Sequence, residues 1–156
     1  MFGKIFKRLK GATSGMTDSA LAVSDEKAME AIVAAMCKVA YADDECQNEE
    51  VDKVNSMIQA HPLLKEFHNE PARLFDSYCD QMEASSIMGT KAMDAKIAKV
   101  LGDETTSEIV LISAIEVAAA SIDEVEDGEP ITVNKAEEKA LSEIARSLDL
   151  RLGKYL

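Results

Sequence analysis

Carboxylates are the groups best placed to do chemistry in this 156-residue chain, because many of them gather in two short windows. The first holds Asp43, Asp44, Glu45, Glu49, Glu50 and Asp52, and the second holds Asp123, Glu124, Glu126, Asp127 and Glu129. An oxygen-only donor set suits hard cations, Ca²⁺ first and Mg²⁺ second, over zinc. Neither window is an EF-hand. Counted from Asp123, Asp127 and Gly128 fit the fifth and sixth positions of such a loop, but Val125 and Asn134 stand at the third and twelfth. The first window contains no glycine. Carboxylates held ~4 Å apart repel by about 1 kcal/mol even in water, and a bound cation removes that repulsion. The competing reading is plainer: early glutamates complement a helix dipole and the loops are simply solvated.

The other reactive side chains offer less. His61 and His68 flank Pro62 and read as solvated surface histidines. Cys37 and Cys79 fall on apolar helical stripes and read as small core fillers, while Cys46 stands among carboxylates that disfavour its thiolate. The eight methionines fall mostly at core spacings, with Met16 and Met88 in irregular segments. No phosphate-cradling glycine loop and no Ser/His/Asp arrangement stands out, so a non-enzymatic protein is expected.

Charge is divided unevenly along the chain. The 17 Lys+Arg and 29 Asp+Glu leave a net −12, yet Lys4, Lys7, Arg8 and Lys10 make the first eleven residues +4. An acidic body cannot grip phosphate backbones through counterion release, which argues against nucleic acid and for cations or basic partners. Three widely spaced cysteines form neither a disulfide frame nor a metal clip, which points to a reducing compartment. No apolar run reaches the roughly 18 residues of a membrane span, and no signal-peptide core follows the basic start. A cytoplasmic chain is expected, with peripheral contact at the inner face of the membrane as its one route to lipid.

These side chains must be positioned by helices. With no Trp and only seven aromatics, the core has to come from Ala, Leu, Ile, Val and Met. Residues 1–11 form a basic amphipathic helix: Phe2, Ile5, Phe6 and Leu9 make one face, and Lys4, Lys7, Arg8 and Lys10 make the other. That helix can dock on its own domain, touch an anionic membrane or meet a partner protein. Residues 12–156 read as one domain. Ser24 caps a helix to about Tyr41 whose apolar stripe runs through Ala28, Met29, Ile32, Val33 and Met36. A second helix follows the first window and stops at His61-Pro62. A short helical turn spans Leu63 to Phe67, and Pro71 opens the next helix. A loop is expected around Ser85 to Gly89, then a helix through Met93 and Ile97 ending at Gly102. Thr105 and Glu108 read as a capping box before Ile109 to Ile122, a segment apolar nearly all round and hence central to a bundle. Asn134 with Glu137 caps the final helix, and only Pro130 to Val133 has any strand-like alternation. The fold class is all-α, with about seven helices.

Each acidic window follows a buried Ala-rich helix and precedes an amphipathic one, which suggests an internal duplication and a pseudo-twofold bundle. Ala40-Tyr41-Ala42-Asp43-Asp44-Glu45, followed by Glu49-Glu50, and the closing run Glu137-Glu138-Lys139-Ala140-Leu141-Ser142-Glu143-Ile144-Ala145-Arg146-Ser147-Leu148 resemble the tellurite-resistance TerB family. The N-terminal domain of DjlA-type membrane co-chaperones belongs to the same superfamily. The resemblance implies an all-helical domain that binds a divalent cation through Asp43, Asp44, Glu49 and Glu50 in one half and Asp123, Asp127 and Glu137 in the other. It also implies an adaptor acting with other tellurite-resistance proteins in a membrane-associated stress system. This chain departs from the family pattern where Asp44 or Glu45 replaces the usual glycine, and where about seven extra residues lengthen the second window. The alternative is a metal-independent acidic domain that docks a basic partner.

Overall fold

The computed structural model describes residues 26–42, 48–120 and 135–156. The expected N-terminal helix, Ser24, Cys46, Asn134 and the Pro130 to Val133 stretch lie outside them. Six helices fill most of the described chain: α1 (Glu26–Ala40), α2 (Asn48–Gln59), α3 (Glu70–Ala84), α4 (Ser86–Ala98), α5 (Glu104–Ala120) and α6 (Lys135–Ser147). Short 3₁₀ turns, Lys65–Phe67 and Leu152–Lys154, complete the set, and there is no strand among the described residues. The fold is all-α.

Local chemistry explains most boundaries. Pro71 stands in the first turn of α3, where its missing N–H costs nothing. Ser85 is extended and its hydroxyl accepts the Met88 N–H at 3.2 Å, so the stretch expected as a loop is instead an N-cap and the first turn of α4. Gly89 makes that sharp α3–α4 turn possible, since a Cβ there would stand 2.8 Å from the Cα of Met82. Gly102, at φ +102°, ends the turn that follows α4 in the region glycine tolerates best. The cap of α5 is Asp103 in place of the Thr105–Glu108 box. Its carboxylate accepts the Thr106 N–H at 3.2 Å and the Thr106 hydroxyl at 2.7 Å. Glu108 is drawn inward, where it accepts the Tyr155 hydroxyl at 2.9 Å and ties the C-terminal turn to α5.

Two helices make the centre. Every residue from Ser107 to Ala120 on α5 is buried, as an all-round apolar helix should be. α1 was expected to bury a stripe, yet Ala31 through Val39 are all buried. The reason is crowding: α1 touches α2, α3, α4, α5 and α6, and packs most extensively on α5 and α4. Its alanines let those neighbours approach from every side.

The directions of the helices follow from cross-links. Tyr41 at the end of α1 bonds Glu83 at the end of α3, so these two helices run together. Glu30 near the start of α1 pairs with Lys96 near the end of α4, which runs the other way. On α2, Lys53 reaches the Ala120 carbonyl and the following His61 reaches Ser113, so α2 is antiparallel to α5.

Candidate functional site

These directions bring the ends of both acidic windows to one end of the bundle. Ala42, the last described residue before the first window, lines a cavity of about 260 Å³ together with Ala136, in the first turn after the second window. On the other flank, the Lys53 ammonium on α2, the residue after the first window, donates to the carbonyl of Ala120, the last described residue before the second window. The residue before each window therefore lies near a residue after the other, Ala42 with Ala136 and Ala120 with Lys53.

Of the residues expected to bind a cation, two have described side chains. Glu50 is exposed in the first turn of α2. Glu137 is 6% exposed in the first turn of α6 and is engaged in a further interaction. Glu49 lies on α2, and nothing is described of its side chain; Asp43, Asp44, Asp123 and Asp127 lie outside the described residues. The N-terminal contact residues Phe2, Lys4, Ile5, Phe6, Lys7, Arg8, Leu9 and Lys10 lie outside them too. Among the described residues no group of three His, Cys, Asp or Glu is placed to hold a metal ion.

Beneath the windows stand two buried charges that sequence reasoning missed. Lys38 on α1 is 5% exposed, and its ammonium meets Asp94 at 2.7 Å and Glu143 at 2.8 Å. This ammonium holds the Glu143 carboxyl below the ordinary carboxylate range. Glu116 on α5 is fully buried, and neither carboxylate oxygen has a hydrogen-bond partner among the described residues. Burial is the largest cause that acts on its carboxyl and pushes the pKa up to about 7, so near neutrality it is half protonated. A lone charge inside an otherwise apolar helix, Met36-Cys37-Lys38-Val39 or Ala114-Ile115-Glu116-Val117, was the available signal.

His61 corrects the expectation of a solvated histidine. It is 1% exposed; its Nδ1 accepts the Leu63 N–H at 3.1 Å, which leaves the proton on Nε2 to reach Ser113 Oγ at 2.9 Å. Ser113 in turn donates to the Ile109 carbonyl at 2.9 Å. The spacing is that of a nucleophile and its base, but the serine proton is committed to a helix carbonyl and the ring to a backbone amide. This His–Ser pair fastens the end of α2 to α5. Burial pushes the imidazole pKa down to about 3, so it stays neutral. His68 is exposed as expected. Cys37 and Cys79 are buried as expected, whereas Met88 belongs to α4 and is exposed.

The family model described as "Tellurite resistance protein TerB" matches residues 29–155, from the second turn of α1 to the C-terminal turn. The chain belongs to the TerB family. No curated protein and no solved structure matches it. The TerB match spans both leading helices, both windows and both following helices, so the resemblance read from the first window and the closing run extends over the whole described bundle. No described helix of this TerB-family chain is long and apolar enough to cross a membrane.

Proposed function

We propose that this chain is a divalent-cation-binding, non-enzymatic adaptor module of a tellurite-resistance or stress-response system. The observation that carries the reading is the pairing of the residues that flank the windows: Ala42 lines one cavity with Ala136, and Lys53 bonds the Ala120 carbonyl. The two windows so flanked carry eleven carboxylates. The donor chemistry fits a hard cation, Ca²⁺ or Mg²⁺, since the windows offer carboxylate oxygens with no histidine among them. Asp43, Asp44, Glu49 and Glu50 would hold it from one side and Asp123, Asp127 and Glu137 from the other. The cation would neutralise the acidic end and alter how the two windows meet a partner, another tellurite-resistance protein in the family setting. The basic helix of residues 1–11 would supply contact with a partner or an anionic membrane, in a cytoplasmic protein peripheral to its inner face.

Calcium titration against thermal stability tests this, because a ligand bound only by the folded state raises Tm. A rise at millimolar Ca²⁺ that is lost in the Asp44→Asn, Glu50→Gln double variant supports it; no rise, or one the double variant keeps, sinks it. The exposed Glu50 and the net charge of −12 favour a second reading, a metal-independent domain docking a basic partner. Partner capture that survives chelator would favour that reading. Removing residues 1–11 should abolish binding to anionic vesicles while leaving the helical spectrum intact.

A further inference from the structure

Cys37 on α1 and Cys79 on α3 carry an inference that the acidic windows do not. Both are in the core, at 0% and 6% exposure, and neither is in a disulfide. Their side chains lie within hydrogen-bonding reach of each other, and Cys79 is also within reach of Tyr41. The register of the helices explains why. Tyr41 bonds Glu83 at 3.0 Å, and both of its partners lie four residues on from the cysteines. Cys37 faces Cys79 and Tyr41 faces Glu83 with the same offset of 42 residues, one turn apart on two helices that run together. Positions i and i+4 share a helix face, so the two contacts form one seam.

We propose that Cys37 and Cys79 form a peroxide-oxidisable dithiol that closes to an intramolecular disulfide joining α1 to α3. Two buried thiols that face each other one turn before the Tyr41–Glu83 bond, on helices that run together, are placed for a disulfide, which tolerates little separation around its bond of about 2.05 Å. The pair is not symmetric. Cys79 is the more exposed, and its thiol is held below the ordinary range, chiefly by the hydrogen bond from Cys37, which outweighs burial and the carboxylates of Asp76 and Glu83. Cys79 is therefore the attacking sulfur and Cys37 the resolving one. The Cys79 thiolate attacks hydrogen peroxide, the O–O bond breaks, and Cys79 becomes a sulfenic acid as hydroxide takes up the thiol proton and leaves as water. The Cys37 thiol then attacks that sulfur, the S–O bond breaks, and a second water departs carrying the Cys37 proton. Two electrons pass from the thiols to the peroxide. The new bond lies one turn before Tyr41, fixing the segment that leads into the first window. The chemistry is independent of the cation reading, so chelator should not change it.

The test uses the full chain carrying Cys46→Ser, which removes the third thiol. The folded protein is treated with hydrogen peroxide, denatured, alkylated and digested with trypsin. The expected result is loss of both alkylation adducts and a linked peptide pair spanning residues 28–38 and 74–91, restored to two alkylated peptides by dithiothreitol. With Cys37→Ala added, dimedone should label Cys79; with Cys79→Ala added instead, Cys37 should stay unlabelled. Full alkylation of both thiols after peroxide, or disulfides found only between chains, overturns the proposal. Label on Cys37 but not on Cys79 overturns the assignment of the attacking sulfur.

Discussion

The two central helices present one buried charge each, and they treat it in opposite ways. On α1, Lys38 is met by two carboxylates from α4 and α6, both more than 40% exposed on their own side chains. The ion pair thus reaches the surface, where water shares the burden of solvating it. On α5, Glu116 has no hydrogen-bond partner for either oxygen among the described residues, and burial pushes its ionisation up to about 7. One helix keeps its charge by pairing it; the other keeps its carboxyl by retaining a proton. The difference teaches that burial of a charged residue in this bundle is set by which neighbours pass over it, since the host helices are alike in composition and burial.

The strongest way to break the comparison is to reverse the charge at Lys38. Lys38→Glu places a third carboxylate against Asp94 and Glu143 inside the core, and should cost more than about 4 kcal/mol, a large part of the ~5–15 kcal/mol that holds an ordinary domain together. Lys38→Met keeps the stem that packs and leaves two partly solvated acids, so its urea midpoint should fall by the equivalent of only ~1 kcal/mol. Equal losses from both variants would mean that packing, and not pairing, holds Lys38.

Glu116→Gln should act in the other direction. Folded Glu116 keeps its proton up to about pH 7, whereas an ordinary glutamate releases it near 4.5. Between those values the folded state binds the extra proton, so this group's contribution to stability is present at low pH and is lost as pH rises towards 7. The variant should therefore be more stable than the parent by up to ~2 kcal/mol at pH 8, and little changed at pH 4. Urea titrations at the two pH values check this.

His61 sharpens the contrast further, because its linkage has the opposite sign. Its folded pKa of about 3 lies below the ordinary 6.5, so stability is fully present above 6.5 and is lost as pH falls towards 3. Between about 4.5 and 6.5 the slopes from His61 and Glu116 oppose each other. Against the parent, Glu116→Gln should lose stability on acidification through that interval, and His61→Gln should gain it. His61→Gln should also cost about 2 kcal/mol at pH 7, since it disturbs the bonds to Ser113 and to the Leu63 amide. The smallest effect is expected at the end of α1. Tyr41→Phe removes one partly buried hydrogen bond to Glu83, worth about 1 kcal/mol in the same urea assay.

Much of this architecture was legible before any helix was placed. Pro71 marked a boundary that stands, Gly102 ends the turn that follows α4 four residues after the helix itself, and the nearly all-apolar run from Ile109 announced a central helix. The errors came from chemistry that acts between elements or competes at short range. Ser85 was read as loop because serine favours turns, but the same hydroxyl caps α4. Glu108 matched a capping box, yet the Tyr155 hydroxyl drew it inward and Asp103 took the cap. For the candidate site, the windows themselves were plain in the charge pattern. The closeness of their flanks was not, because it depends on how the helices bring Ala42 and Ala136 to one cavity across more than ninety residues.

The sequence by itself determined the helices, the central place of α5, the two acidic windows and the TerB resemblance, because these depend on residue spacing along one strand of chain. Only the tertiary structure decided that His61 is sealed against Ser113, that Lys38 is paired while Glu116 has no hydrogen-bond partner among the described residues, and that Cys37 and Cys79 face each other one turn before the Tyr41–Glu83 bond. Each of those facts is a contact between helices. Periodicity shows which residues share a face, but the neighbour a face meets is set by packing every helix at once.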